Sequence, residues 1–114
     1  MADCLFCRIV AGEVPSDVVA ETDGAFAFRD INPQAPTHVL VVPRAHFDDA
    51  AHLSHHDADL LAEVFRLAAQ VASQEGIADS GYRFVTNTGE AAGQTVGHLH
   101  VHVLGGRPLG WPPG

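Results

Sequence analysis

The segment Gly97 to Leu104 reads GHLHVHVL, with His98, His100 and His102 on alternate residues and Leu99, Val101 and Val103 between them. Side chains alternate faces along a strand, so the three imidazoles share one face and the three aliphatic residues share the other. Same-face neighbours sit ~6.5–7 Å apart at Cα, near enough to act on one ligand. Two chemistries suit such a row. Two imidazoles at i and i+2, with a third from elsewhere, can hold a catalytic zinc that keeps one coordination position open. Alternatively the middle imidazole is a nucleophile toward phosphorus while its neighbours bind phosphate oxygens. Imidazole is largely neutral near pH 7 and attacks without prior deprotonation. A solvated strand face is the bland alternative, but Thr, Lys or Glu normally serve that purpose. The preceding loop, NTGEAAGQTVG, has Gly89, Gly93 and Gly97 within nine residues. Glycines let backbone N–H groups approach an anion closely, which favours phosphate over a bare hydrolytic metal.

A second chemistry-bearing pattern is Cys4-Leu5-Phe6-Cys7. A redox pair of this spacing belongs in a thioredoxin-like βαβ setting, which the surrounding pattern lacks. Two core cysteines need no function, and a tetrahedral metal site needs two further ligands.

Holding these residues in place requires a sheet and a covering helix. A short helix is expected over Cys4 to Gly12, then a turn at EVPSD. DVVAET and AFAFRD form a hairpin around Asp23-Gly24, and a longer apolar strand, HVLVVPR, follows the proline-rich NPQAPT. The one long helix is expected from about Asp57 to Glu75, capped by Ser54 or a neighbour and stopped at Gly76. Its Leu60, Leu61, Val64, Phe65, Leu67, Ala68, Val71 and Ala72 make a broad apolar stripe. Tyr82 to Asn87 and the histidine segment supply the last two strands. Five strands with one long and one short helix, without βαβ alternation, indicate an antiparallel α+β fold in a single domain over residues 1–114.

Fourteen acidic against six basic residues give a formal charge of −8, and lysine is absent. Nucleic acid backbones and anionic membranes demand clustered cations, so neither is expected as a partner. Any phosphate must be bound by backbone amides and histidine. No apolar run approaches the ~18 residues of a membrane span, and no secretory signal is visible, so a cytoplasmic address is expected.

His98 to Leu104 matches the pattern His-apolar-His-apolar-His-apolar-apolar of the histidine triad (HIT) family, and the chain resembles its Hint branch nearly end to end. The segments FRDINPQAPTHVLVVPRAH, GQTVGHLHVHVLGGR and WPPG carry the resemblance. It implies a five-stranded antiparallel sheet with two helices, paired as a homodimer into a ten-stranded sheet. It also implies hydrolysis of purine nucleoside phosphoramidates through a nucleotidyl-histidine on His100, with no metal required for the chemistry. His102 and His38 would then serve the phosphate, and the His98 carbonyl would orient the nucleophile. Asp30 corresponds to the ribose-binding acid, and Phe6, Ile9, Phe28, Ile31 and Leu40 to the slot for the base. Asn87, Gly93, Gln94, Thr95 and Val96 correspond to the phosphate loop. Thr95 stands where many relatives have Ser, and Gly97 where many have an aromatic residue. Many bacterial members have Cys-x-x-Cys in a structural zinc site, which here implies Cys4, Cys7, His46 and His98 as ligands.

The remaining candidates are plainer. His52, His55 and His56 are expected to be solvated or capping side chains, and the resemblance implies that the tail with Trp111 packs across the dimer. Other HIT branches suggest dinucleoside polyphosphate hydrolysis or nucleotidyl transfer as alternatives. A nucleotide-binding adaptor is the non-enzymatic one.

Overall fold

In a computed structural model, which describes residues 4–114, nine short segments alternate with tight turns. The strands are β1 (Val18–Glu21), β2 (Ala25–Arg29), β3 (Thr37–Pro43), β4 (Tyr82–Val85) and β5 (Val101–Gly105). They form one sheet in the order β1-β2-β3-β5-β4, with every neighbouring pair antiparallel. The helices are α1 (Leu5–Val10), α2 (Ala50–His56) and α3 (Ala58–Gln74), with a single 3-10 turn over Glu90–Ala92.

Two-residue periodicity divides the sheet into two faces. Ala25, Ala27, Val39, Val41, Val101 and Val103 point to one side and pack with Val64, Leu67, Ala68, Val71 and Ala72 of α3. Phe26, Phe28, Leu40 and Val42 point to the other and pack with Phe6 and Ile9 of α1. Burying an aliphatic or aromatic side chain of this size contributes ~1.5–3 kcal/mol, so the α3 face carries most of the stability. The small Ala25 and Ala27 let α3 lie close on β2, where its Glu63 also holds the hairpin. Glu63 Oε2 accepts from Thr22 Oγ1 at 2.6 Å and from Gly24 N at 2.7 Å, and these bonds lower its pKa. A Cβ at position 24 would sit 2.8 Å from Leu60 Cδ1 and 2.9 Å from the Glu63 carboxylate oxygens, so a larger residue there would push those side-chain ends aside.

The long helix begins where expected, but its approach is a separate helix. Asp49 caps α2, its Oδ1 accepting from His52 N at 2.8 Å, while Asp57 caps α3 through Leu60 N at 3.0 Å. Asp57 also terminates α2, with an extended backbone at φ −156° that interrupts the helix. Ser54 therefore lies inside α2 and donates to Ala51 O rather than capping α3. The fold therefore has two short helices beside the long one, one more than expected. Among the described residues no helix is long and apolar enough to cross a membrane.

Candidate functional site

The histidine segment is only partly strand. β5 starts at Val101, so His98 and His100 lie on the irregular run leading into it. Leu99 N donates to Phe47 O at 2.7 Å, which pins that run. The expected division of faces still holds: Leu99, Val101 and Val103 are buried under α3, while His98 and His100 meet Phe6 of α1 edge-on at 6.0 and 5.0 Å between ring centres.

Although adjacent, the three imidazoles present different atoms, and a backbone or side-chain partner determines each. His100 Nδ1–H donates to the His98 carbonyl at 2.8 Å, so its Nε2 lone pair is left for the cleft. His98 Nε2–H donates to the Pro43 carbonyl at 2.9 Å, so its Nδ1 lone pair is turned toward the cysteines. His38 Nδ1 accepts from Gln34 N at 3.0 Å, and its Nε2–H points at His102 Nδ1, 2.9 Å away, and at Asp30 Oδ2, 3.4 Å away. His102 must then hold its own proton on Nε2. Burial, with His100 and His38 close by, pushes the His102 pKa down to about 4. Burial also lowers His38, against the pull of Asp30, and lowers His98. Near neutral pH these three rings are uncharged.

Donor atoms of Asp30, His38 and His102 lie within 4.8 Å of one another, a spacing that could suit a cation. A neutral imidazole has one in-plane lone pair, however, and that of His38 is taken by Gln34 N. The trio is therefore arranged to hold a proton, which weakens the catalytic-metal alternative for the triad.

A cleft of about 280 Å³ opens between α1 and the strand ends. Phe6, Ile9, Phe28, Asp30, Ile31, Leu40, Thr95, His100 and His102 all line it, while His38 stands behind His102. The apolar residues make a slot and the histidines its polar end, a usual design for binding a small molecule in a defined orientation. Ile31 is almost wholly exposed at the lip. One Asp30 oxygen accepts from Asn32 N at 2.9 Å.

The loop residues divide. Thr95 reaches the cleft, and Val96 lies in an adjoining recess with Cys4, Leu5 and Gly97, whereas Asn87, Gly93 and Gln94 do not line the cleft. Gln94 braces the loop from within: Oε1 accepts from Gly89 N at 2.9 Å, and Nε2 donates to the Asp48 and Val96 carbonyls at 2.8 and 3.1 Å. Gly93, at φ +84°, supplies the left-handed turn that closes the 3-10 segment. Sequence reasoning missed Leu5, Val14, Pro15, Ser16 and Arg29, which complete the cleft wall, and Thr86, whose Oγ1 donates to the His100 carbonyl at 2.9 Å. The EVPSD segment gave a turn signal and nothing to show that the turn folds over the cleft.

Beside the cleft, Cys4, Cys7, His46 and His98 bring their donor atoms within 4.8 Å of one another. Cys4 Sγ is 3.3 Å from His98 Nδ1, and Cys7 Sγ is 3.5 Å from both His46 Nδ1 and His98 Nδ1. Around a tetrahedral zinc, bond lengths of ~2.3 Å to sulfur and ~2.0–2.1 Å to nitrogen separate ligand atoms by roughly 3.3–3.8 Å. These three separations fall in that range, and both imidazoles have the outer-shell acceptors typical of metal ligands: Pro43 O at 2.9 Å for His98, and Asp48 Oδ1 at 3.2 Å for His46. Two thiolates and two imidazoles form a closed set suited to zinc.

A sequence model of the HIT domain matches residues 11–109. The purine nucleoside phosphoramidase of Escherichia coli K12 is 45% identical over 108 residues, which cover 95% of this chain and 91% of that protein. The 14 kDa zinc-binding protein of Zea mays is 46% identical over 112 residues, covering 96% and 87%. Among solved structures, a HIT family hydrolase from Legionella pneumophila Philadelphia 1 superposes with a TM-score of 0.94 at 46% identity, covering 98% of this chain and 100% of that one. A histidine triad protein from Clostridium difficile gives 0.92 at 39%, covering 96% of each. With the HIT domain matched over residues 11–109 and nearly the whole fold held in common with a HIT family hydrolase, the chain belongs to the HIT family.

Proposed function

We propose that this protein is a purine nucleoside phosphoramidase, a hydrolase that cleaves the P–N bond at the α-phosphate. The observation that carries the reading is His100: its Nδ1–H is held by the His98 carbonyl at 2.8 Å, so Nε2 is the free lone pair on a cleft-lining ring. Nε2 attacks phosphorus, the substrate P–N bond breaks, and the leaving nitrogen takes a proton from solvent and departs as an amine. Water then cleaves the nucleotidyl-histidine, releasing the nucleoside monophosphate and restoring His100. His102, uncharged with its proton on Nε2, donates to a phosphate oxygen, and His38 keeps that proton in place by pointing its own at His102 Nδ1. Thr95 offers its hydroxyl beside the leaving group. Asn87 and the backbone from Gly93 to Val96 flank the phosphate, with Gln94 acting through the loop's shape. Phe6, Ile9, Phe28, Ile31 and Leu40 receive the purine, and Asp30 accepts from the ribose hydroxyls.

Cys4, Cys7, His46 and His98 would hold a zinc ion, which supplies a structural cross-link and takes no part in bond breaking. Thiolate ligands of this kind persist in a reducing compartment, in keeping with the cytoplasm. We further infer one HIT domain over the whole chain and a homodimer. β4 is an edge strand with Tyr82 exposed and Phe84 half-buried beside Phe65, and pairing with a second copy would cover that edge.

The test is a comparison of turnover on an adenosine 5′-phosphoramidate and a diadenosine polyphosphate, with acid quenching to trap the nucleotidyl-histidine. The phosphoramidate should be the better substrate, and the adduct should map to His100. Preference for the polyphosphate, or turnover without an adduct, would overturn the assignment.

A further inference from the structure

The Cys4, Cys7, His46 and His98 centre is tied to three separate parts of the nucleotide cleft, and none of those ties is needed merely to hold a metal. The first runs through α1. Cys4 is its N-cap, with Sγ accepting from Cys7 N at 3.4 Å, and Phe6, between the two cysteines, forms the wall of the slot. With six residues, α1 is far below the ~12–15 that sustain a helix alone, so its position depends on what anchors it. The second tie is His98 itself, whose ring belongs to the centre while its carbonyl holds the His100 ring. The third runs from His46 Nε2 to the Asp48 carboxylate at 3.2 Å, and from the Asp48 carbonyl to Gln94, the brace of the loop that carries Thr95.

We propose that Cys4, Cys7, His46 and His98 are positioning residues for the nucleotide cleft, and that oxidation of the two thiolates by a hydroperoxide reversibly releases it. The proposal rests on the nucleotide and zinc readings above. Cys4 and Cys7 are both partly exposed, stand three residues apart at the start of α1, and hold their sulfurs within 4.8 Å of one another, close enough to be joined as a disulfide. One thiolate attacks the peroxide O–O bond and the second displaces the resulting sulfenate oxygen, forming one S–S bond. The sulfur pair loses two electrons to the hydroperoxide, which leaves as water and an alcohol after taking up protons. A disulfide is a poor ligand, so the divalent ion departs, and a dithiol reductant with added zinc reverses the sequence. The apolar cluster under α3 shares no side chain with the centre, so the sheet persists while α1, His98 and the loop lose their common anchor.

The experiment uses the zinc-loaded protein, one to a few equivalents of hydrogen peroxide, and AMP as the probe. Four readouts run together: zinc release to a chromophoric chelator, free thiol count, AMP affinity by calorimetry, and far-UV circular dichroism. Loss of two thiols and release of zinc should weaken AMP binding by about tenfold or more while the spectrum keeps its sheet signature, with reversal by dithiothreitol plus zinc. The double variant Cys4→Ser/Cys7→Ser should start from weakened AMP binding and show no further response to peroxide. Zinc release with unchanged AMP affinity overturns this proposal alone, as does a peroxide response that persists in the double variant. Protein isolated with reduced thiols and no zinc also overturns it. Failure of untreated, zinc-loaded protein to bind AMP overturns the nucleotide reading and this proposal together.

Discussion

The two faces of the sheet are made by the same strands yet hold different things. Under α3, Val39, Val41, Val101, Val103, Leu53 and Leu67 are at most 1% exposed, and no titratable side chain belongs to the cluster. Under α1, the alternating positions carry Phe26, Phe28, Leu40, His38, His100 and His102, and a cleft remains open. Stability and chemistry are thus separated by side-chain parity rather than by distance along the chain. A substitution at one residue of β3 or β5 addresses the core, and its neighbour addresses the site.

Substitutions can break that separation or sharpen it. The largest effect is expected at His100: His100→Asn should lower kcat/KM by about a thousandfold or more in a phosphoramidate assay, with AMP affinity and melting temperature near wild type. Leu67→Ala, on the other face, should cost about 2–5 kcal/mol in urea unfolding, with turnover per folded molecule unchanged. If Leu67→Ala altered KM, the two faces would be coupled more tightly than their packing implies.

Mild acid probes the α1 face before it reaches Glu63 and Glu75 of the α3 side, which hydrogen bonds hold below the ordinary carboxylate value of 4.5. His38, His98 and His102 are all held below the ordinary value of 6.5, His102 at about 4, so the unfolded chain binds more protons than the folded one. Their contribution is fully present above the unfolded value and is lost as pH falls from about 6.5 toward 4. Melting temperature should drop across that interval in metal-free protein, and the His38→Gln/His102→Gln variant should flatten the drop. The smallest effect is expected from Thr86→Val, which removes the hydroxyl on the His100 carbonyl. About 0.5–1.5 kcal/mol of stability and a few-fold of kcat should go, measured by unfolding and steady-state kinetics.

Much of this arrangement was legible in residue order because it depends on local periodicity. Alternation in HVLVVP and HLHVHV gave the two faces, the stripe of α3 gave the covering helix, and Asp23-Gly24 gave the hairpin. What stayed hidden depends on contacts far apart in sequence. Nothing near Thr86 shows that it reaches His100, and nothing in EVPSD shows that Val14 and Pro15 close the slot. Gln94 was assigned to the phosphate loop from resemblance, but its amide is occupied by Gly89, Asp48 and Val96, which only the folded loop brings together. The separation of α2 from α3 turned on two aspartates eight residues apart, where a continuous helical pattern masked the break.

That break has a mechanical side. Asp57 sets the angle at which α2 leaves α3, and the His52 and His56 rings of α2 rest on the Phe47 ring at 5.5 and 6.2 Å. The Phe47 carbonyl in turn holds Leu99, the residue between His98 and His100. The surface histidines of α2 therefore back the one residue that pins the run between His98 and His100, so the joint between two helices borders the triad through a single phenylalanine.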